Sequence, residues 1–402
     1  MLKILHLFDR YLNTTMNWVS TLMHHTQPAQ HYVAAPIVFK SPYLYHRDIR
    51  FLYAPWQWSA LLPRNEWNIG WPHRLKAKAL MPLYRKWLRK TLDNIRPDVV
   101  HAHFGHVGVE YASVVHDAGI PYVVSFYGFD MRRLPNRKPV YEKLYRTLGR
   151  QADAIVVLGP ASRQILIQAY DFPPEKVHIN AIGVDVDAIP FRARRKPRGR
   201  LRLLQVATFT PKKGQWEAVR AICSIANDCP NVHLTLTGEM RDPYYGLKIT
   251  KFIQTVRLRE YVQILPFTPH ERVYQTMLQY DAFIHPSRHT PDGDSEGGAT
   301  FAILEAMATG MPILSTRHMA IPERVPHGVA GLLAKEGDYR GLAKNIRTMY
   351  EMSEEDFQRM SMAARTQVAK YYNAPLWGRR MYKLYLCLKK KNSPTSRTKH
   401  HV

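Results

Sequence analysis

The sequence predicts an α/β protein built from two doubly wound domains, each a parallel sheet covered by helices. Three observations predict it. Short apolar, β-branched runs recur along the chain. Stretches of helical period separate most of them. The pattern then restarts after a basic, proline-bearing break. Near-continuous apolar strands alternating with helices belong to parallel sheets buried on both faces, and two such sets in succession make two domains. The length of 402 residues agrees with this, at roughly 150 residues per domain.

The elements follow in order. Lys3 to Phe8 reads as the first strand, and Asp98 to Phe104, Pro121 to Tyr127 and Ala152 to Gly159 as later strands of the same half. In the second half the strands are Leu201 to Thr208, Val232 to Gly238, Val262 to Phe267, Asp281 to Ser287, Pro312 to Thr316 and Gly331 to Ala334. Between the halves, Asp185 to Arg200 holds two prolines and the run Phe191-Arg-Ala-Arg-Arg-Lys-Pro-Arg-Gly-Arg200. It has no hydrophobic period and reads as an exposed linker. The expected domains are therefore 1–184 and 201–374, joined by 185–200, with a basic, frayed tail at 389–402. Ligands of such sheets bind beyond the carboxyl ends of the strands, so the loops after the strands are where chemistry is expected.

Composition narrows the function classes. Apolar residues make up 46% and charged residues 22%, which excludes a disordered chain. Lys and Arg number 57 against 32 Asp and Glu, a formal net charge of +25, which favours anionic partners. Three cysteines (Cys223, Cys229, Cys387) are too scattered for a disulfide framework and read as reduced and cytosolic. No run of about 18 apolar residues stands out as a membrane span. Lys3 and Asp9 leave no room between them for a secretory apolar region.

The most informative segment is Asp292-Gly-Asp-Ser-Glu-Gly-Gly-Ala-Thr-Phe-Ala-Ile-Leu-Glu305. A strand ends at Ser287, a polar loop follows, and an apolar helix runs from Ala299 to Thr309 until Gly310 and Pro312 stop it. Gly297 and Gly298 let backbone N–H groups approach a ligand, and the helix start suits a diphosphate. Glu296 and Glu305 are placed to accept hydrogen bonds from sugar hydroxyls. The plainer reading is a surface glutamate pair beside a strand–helix turn. Asp292-Gly293-Asp294 reads as a turn with two solvated carboxylates rather than a divalent-cation site. His101, His103 and His106 lack a Cys or carboxylate partner in sequence, so no metal site is assigned. His101 reads as buried and hydrogen-bonded, and His103, near a strand end, as a ligand contact.

These residues resemble the E-x7-E signature of the retaining glycosyltransferases of family 4, which have the GT-B architecture: two Rossmann-like domains facing a central cleft. Further segments match in the expected order. They are His101-Ala-His-Phe-Gly105, Ser125-Phe-Tyr-Gly-Phe-Asp130 (H-G-x-D in the family), Lys176-Val-His-Ile-Asn-Ala-Ile-Gly-Val-Asp185, and Pro211-Lys-Lys-Gly214 (the K-K-G loop). The double glycine followed by Ala-Thr is most similar to bacterial exopolysaccharide and lipopolysaccharide transferases. The sequence departs from the pattern at four places. Eight residues, not seven, separate Glu296 from Glu305; Tyr127 stands for the histidine of H-G-x-D; Thr208 stands where an arginine precedes the K-K-G loop; and Leu12-Asn-Thr-Thr15 replaces a glycine-rich loop.

The resemblance implies retaining transfer of a hexosyl group from a nucleotide-sugar, without a metal or other cofactor. Lys213, Lys212, Thr208, Gly297, Gly298, Thr300 and Glu305 would bind the donor, with the lysines on the diphosphate and Glu305 on the ribose. Glu296, Tyr127 and His103 would stand at the reacting centre, with Glu296 on donor-sugar hydroxyls and the Tyr127 phenol donating to a phosphate or sugar oxygen. The last helical stretch, about 375–388, would pack back on the first domain. Two basic stretches fall in that domain: His73 to Arg96, an amphipathic helix with Arg85, Lys86, Arg89 and Lys90, and Asp130 to Arg150, with Arg132 and Arg133. They suggest a face that rests on the anionic inner leaflet and receives a lipid-linked saccharide, which makes the expected location cytoplasmic and peripheral to the inner membrane. The plainer reading is a solvated basic face. Trp56, Trp58, Trp67 and Trp71 form either a ligand-contacting loop or a small apolar cluster. Two other functions compete. The charge suggests a nucleic-acid-binding protein, although no nucleic-acid motif appears and no nucleic-acid partner is expected. A nucleotide-sugar epimerase of the same fold is the other.

Overall fold

The computed structural model describes residues 1–11, 17–38, 49–52, 54, 71–196, 198–296, 300–392. Burial of the side chains of 17 and 71–78 is not among the described features. The chain divides into two compact units, Met1–Ile182 with Ala374–Val402, and Gly183–Asn373.

The first unit carries β1 (Leu2–Leu7), β2 (Arg10–Tyr11), β3 (Ala29–Ala34), β4 (Ile37–Val38), β5 (Ile49–Phe51), β6 (Val99–His103), β7 (Tyr122–Ser125), β8 (Ala154–Val157) and β9 (Val177–Ile179). Seven of these form one sheet in the order β5-β3-β1-β6-β7-β8-β9, and β2 pairs with β4 apart from it. All of the pairings are parallel. β1 lies between β3 and β6, so strand order reverses there. Ligands of doubly wound sheets sit at such a switch point.

The second unit carries β10 (Leu201–Val206), β11 (Val232–Thr237), β12 (Val262–Leu265), β13 (Ala282–His285), β14 (Ile313–Thr316) and β15 (Gly331–Ala334). Their order is β12-β11-β10-β13-β14-β15, again all parallel. Numbered within the unit this is 3-2-1-4-5-6, the dinucleotide-binding order, with its switch point between β10 and β13. Each sequence-predicted strand is present, shorter by a residue or two at most ends because the flanking residues turn into loops. β3, β5 and β9 escaped the sequence reading, as did the two-residue strands β2 and β4. Ala-Gln-His-Tyr-Val-Ala has too little apolar contrast for a pattern, and β5 and β9 are three residues each. The helix expected at Ala299–Thr309 spans Phe301–Ala308, and Gly310 ends it at φ +91°. The C-terminal helix is Ala374–Lys391, part of the first unit, where it packs on the helix Asn17–His25. The tryptophan cluster lies outside the described residues, apart from the backbone of Trp71.

The basic break at 185–200 is exposed only in part: Arg192, Arg195, Arg198 and Arg200 face solvent, but other residues between them anchor it. Val186 and Ile189 are buried in the second unit's core, and Arg194 and Lys196 are 2% and 0% exposed. The reason is the set of unpaired carbonyls that every helix leaves at its C-terminus. Arg194 donates to the Met277 carbonyl (3.1 Å) at the end of the helix His270–Met277. It also donates to the Thr309 carbonyl (2.6 Å) at the end of Phe301–Ala308, and to Tyr280 (3.1 Å). Lys196 donates to Tyr350 (3.0 Å) and Met352 (3.3 Å) at the end of Tyr339–Glu351. The cations therefore cap three helices, where they also oppose the helix dipoles. Burial lowers them, Arg194 to about 10 and Lys196 to about 8. Replacing Arg194→Ala strands these buried carbonyls, so denaturant unfolding should show a loss of about 3 kcal/mol. The exposed neighbour Arg195→Ala should change stability by no more than about 0.5 kcal/mol.

Candidate active site

The second unit's switch point is lined by the loops after β10 and β13. After β10 the chain turns through a short 3-10 helix, Pro211–Lys213, into Gly214 at φ +71°. A Cβ on Gly214 would lie 2.0 Å from the Pro286 carbonyl oxygen, so the K-K-G glycine is required by backbone contact with the loop after β13. Two hydrogen bonds fix the turn. Gln205 Nε2 donates to the Lys213 carbonyl (2.8 Å), and the Arg288 N–H donates to the Lys212 carbonyl (3.0 Å).

This turn holds both lysines against the acidic loop. Lys213 Nζ lies 2.6 Å from Glu296 Oε2, and Lys212 Nζ lies 3.2 Å from Asp294 and 3.9 Å from Glu296 Oε1. The Glu296 side chain is 7% exposed. Burial raises its carboxyl, but Lys213 and Lys212 more than offset this and hold it at about 2. Burial pulls the Lys213 ammonium below its ordinary value, with Glu296 opposing the shift. Thr208 lies nearby and accepts from Gln215 through its carbonyl (3.0 Å). Arg241, in the loop after β11, is close enough to influence both Lys213 and Glu296, and lies 3.5 Å from Glu239.

Glu296 is oriented by residues that carried no motif. Its amide donates to His318 Nε2 (3.2 Å). That nitrogen must be the acceptor, so His318 donates through Nδ1 to Glu336 (2.9 Å). Glu336 also accepts from the His289 amide and ring. Burial raises the Glu336 carboxyl, but these histidines outweigh it and hold it well below the usual range. His289, His318 and Glu336 follow β13, β14 and β15, so only the folded sheet brings them together. Their ligand atoms lie within 4.8 Å of one another, as do those of His6, His101 and His103 in the first unit. These two groups are the places among the described residues where a metal ion would find enough donors.

The other predicted donor residues sit close by in the chain. Glu305 is buried in the helix Phe301–Ala308, and its Oε1 accepts from His270 and Tyr274, each at 2.9 Å. Thr300 precedes that helix, 2% exposed, with its hydroxyl unpaired. Gly297 and Gly298 lie outside the described residues. The segment Asp292 to Asp294 is the expected turn, but Asp294 is not solvated: it is 6% exposed and paired with Lys212. Gly293 has φ +81°, its N–H donates to the Thr290 carbonyl, and Thr290 donates to Asp292. Several polar atoms around the switch point are buried and lack a hydrogen-bond partner: both ring nitrogens of His285, Ser287 Oγ, Thr210 Oγ1, Gln205 Oε1 and Glu296 Oε1. Leaving such groups unpaired is costly, and their grouping beside two lysines suits a polar, anionic ligand.

In the first unit, Asp130 is a structural anchor. Its carboxylate accepts from the amides of Gly105 (2.9 Å), Tyr127 (3.1 Å) and Gly128 (2.8 Å). This ties the loop after β6 to the loop after β7 and fixes where Tyr127 points. His101 is buried as expected, between Tyr385 (2.6 Å) and Ser125 (2.7 Å). His103, expected as a ligand contact, is enclosed. It is 0% exposed, because Phe8 stacks on it and Tyr127 covers its Nδ1. His106 lies 3.4 Å from Asp9. Burial lowers its imidazole, but Asp9 outweighs this and raises it overall. The basic helix is Trp71–Ile95, with Tyr84, Leu88 and Leu92 buried and Arg85, Lys86, Arg89 and Lys90 exposed. Its face is less cationic than the sequence suggests, since Arg85 pairs with Glu110 (2.5 Å) and Arg89 with Asp117 (3.1 Å). Arg132 is exposed and Arg133 half-buried.

Two doubly wound units in one chain, the second with lysines gathered at its switch point, define a GT-B glycosyltransferase. The comparisons with known proteins agree, and the chain belongs to glycosyltransferase family 4. Residues 29–188 match glycosyltransferase family 4, and residues 188–367 match the glycosyl transferases group 1. An amylovoran biosynthesis glycosyltransferase of Erwinia amylovora is 30% identical over 285 residues, 69% of this chain and 67% of that one. A putative colanic acid biosynthesis glycosyltransferase of Escherichia coli is 29% identical over 300 residues, 73% and 71% of the two chains. Among solved structures, HepE of Anabaena in complex with UDP superposes with a TM-score of 0.72 at 17% identity, covering 96% of this chain and all of that one. A glycosyltransferase of Rickettsia africae gives 0.74 at 14% identity, covering 98% and 99%.

The site makes a pH-dependent prediction. The Glu296 carboxyl is held at about 2, below its ordinary 4.5. Its pairing therefore stabilises the fold fully above pH 4.5, and the contribution is lost as pH falls toward 2. Lys213→Met leaves burial less opposed, so the Glu296 carboxyl should move up. In urea unfolding, the parent should exceed the variant most at neutral pH, and the gap should close as the pH approaches 2. Carboxyl NMR should show the same upward shift.

Proposed function

We propose that this protein is a retaining glycosyltransferase of bacterial surface-polysaccharide assembly, moving a hexosyl group from a nucleotide-sugar to a lipid-linked saccharide. The observation that carries the reading is the pairing of Lys212 and Lys213 with Asp294 and Glu296 at the switch point of the second sheet. As the glycosidic bond breaks, negative charge grows on the leaving diphosphate. Preorganised cations in a partly buried site are what such a transition state requires. Lys213 and Lys212, with Arg241 behind them, supply that charge without a metal. The diphosphate competes with Glu296 for Lys213, and the released carboxylate accepts hydrogen bonds from donor-sugar hydroxyls. Glu305, oriented by His270 and Tyr274, takes the ribose hydroxyls.

The polysaccharide role is supported by the relatives in amylovoran and colanic acid biosynthesis. HepE was solved with UDP and with UDP-glucose, so UDP-sugars are the first donors to try. No described helix is long and apolar enough to cross a membrane. We place the protein on the cytoplasmic face of the inner membrane, held by Lys86, Lys90, Arg132 and neighbouring cations, each contributing about 1 kcal/mol near an anionic surface.

Two experiments test this. Incubated with UDP-sugars and a lipid-linked saccharide fraction, the protein should release UDP only when acceptor is present. NMR should then show the anomeric configuration of the donor kept in the product. Inversion, or UDP release without acceptor dependence, contradicts the proposal. In co-sedimentation, vesicles containing anionic phospholipid should pull down the protein, and Lys86→Glu/Lys90→Glu should reduce this several-fold. Equal, weak sedimentation with neutral vesicles would remove the membrane part of the reading.

A further inference from the structure

At the switch point of the first sheet, side chains form one continuous hydrogen-bonded chain. It runs from the Thr26 carbonyl to His31 Nε2 (3.1 Å), and from His31 Nδ1 to His6 Nε2 (3.0 Å). It continues from His6 Nδ1 to His103 Nε2 (2.9 Å), and from His103 Nδ1 to the Tyr127 hydroxyl (2.8 Å). Thr26, His31, His6 and His103 are at most 1% exposed, and of these five residues Tyr127 alone reaches the surface.

The end of this chain decides its direction. A carbonyl oxygen only accepts, so His31 donates through Nε2. A neutral imidazole carries one N–H, which makes His31 Nδ1 the acceptor and His6 Nε2 the donor. The same step makes His103 donate through Nε2 to His6 Nδ1. His103 Nδ1 is then an acceptor, and among the described residues its hydrogen-bond partner is the Tyr127 hydroxyl, which supplies the proton. Neutrality follows from burial: the three rings are at most 1% exposed, and consecutive rings lie 5.2 Å apart, so a charge on one would be shut off from water and face the next. Burial, together with repulsion from neighbouring histidines, lowers His6 and His103 well below the ordinary value. Ser125 also neighbours the phenol, and its hydroxyl can serve the phenol's oxygen without disturbing this order.

We propose that the ladder Thr26–His31–His6–His103 holds the proton of Tyr127 inward, so that the phenol offers a ligand only a hydrogen-bond acceptor. Its partner is then a group that donates, a saccharide hydroxyl, and not a phosphate oxygen, which only accepts. This reverses the expectation that Tyr127 donates to a phosphate. His6, His31 and His103 are positioning residues, acting through Tyr127. The saccharide identity rests on the proposed transferase function, and the direction of the ladder does not. A shared metal ion is a poorer account of the same cluster. His101 and His103 stack with centroids 4.1 Å apart, and both nitrogens of His101 are already paired with Tyr385 and Ser125. Stacked rings aim their lone pairs side by side, whereas a coordinated ion needs them to converge.

Histidine-selective 15N NMR of the full chain at pH 7, assigned with single His→Gln variants, reads the direction without any substrate. His31, His6 and His103 should all be neutral Nε2–H tautomers. An Nδ1–H tautomer at any of them, a doubly protonated His31, which would run the chain the other way, or stoichiometric zinc retained after purification would overturn the proposal. A second arm uses Tyr127→Phe. UDP affinity by calorimetry should stay within about twofold, while kcat/KM for transfer falls by about tenfold or more, as expected when a site's hydrogen bond to a hydroxyl is lost. A tenfold loss of UDP affinity in Tyr127→Phe would instead make the phenol a phosphate donor and overturn the assignment. If transfer itself is absent in the parent, the functional proposal fails and the tautomer result still stands or falls alone.

Discussion

The site of the second unit depends on one interaction, the contact of Lys213 with Glu296. Two opposite charges removed from water are costly unless they meet closely and their other hydrogen-bonding needs are met. At 2.6 Å they meet closely, yet Glu296 Oε1 has no hydrogen-bond partner and lies 3.9 Å from Lys212. The pair is held by strong restraints and is incompletely satisfied. The Gly214 turn fixes the lysine side, and the His318–Glu336 dyad fixes the glutamate side. A diphosphate can therefore exchange for the carboxylate on Lys213 without a large rearrangement of the backbone. Preorganisation of that kind is what lets an active site stabilise developing charge.

The first unit follows the same physical rule with different groups. The interior of its switch point is filled by neutral, tautomer-ordered imidazoles, with the Asp9–His106 pair beside them. His6, His101 and His103 sit where β1 and β6 adjoin, with His6 in register with His101. His101 stacks on His103 of the ladder and is itself held by Tyr385 of the C-terminal helix. The two units thus place a charged recognition surface and an uncharged, directional one at equivalent positions of two similar sheets.

Much of the fold was legible in the sequence because apolar runs such as Ile-Val-Val and Phe-Ile-His end in recognisable loops. Short strands such as Val177–Ile179 carry too few residues for a period to show. The linker reading failed at Arg194 and Lys196 because charge density normally marks a solvated segment. Nothing local tells that three helix ends will converge on those two side chains. In the site, Lys212, Lys213, Glu296 and Glu305 were visible because they lie in contiguous motifs. His318, Glu336 and Arg241 were not, because each stands alone after a different strand and acquires its partner only when the parallel sheet aligns the strand ends. The direction of the histidine ladder was equally hidden, since it is set by a backbone carbonyl at the end of the helix Asn17–His25.

The central claim is that Lys213 exchanges its Glu296 partner for the diphosphate of a nucleotide. Calorimetric binding of UDP, and of GDP, ADP and dTDP in parallel, to the parent and to Lys213→Met tests it most directly. The account predicts that one nucleotide binds the parent and that the variant loses at least tenfold in affinity, about 1.4 kcal/mol. Equal affinities for the two proteins, or no binding of any nucleoside diphosphate to the parent, would contradict it.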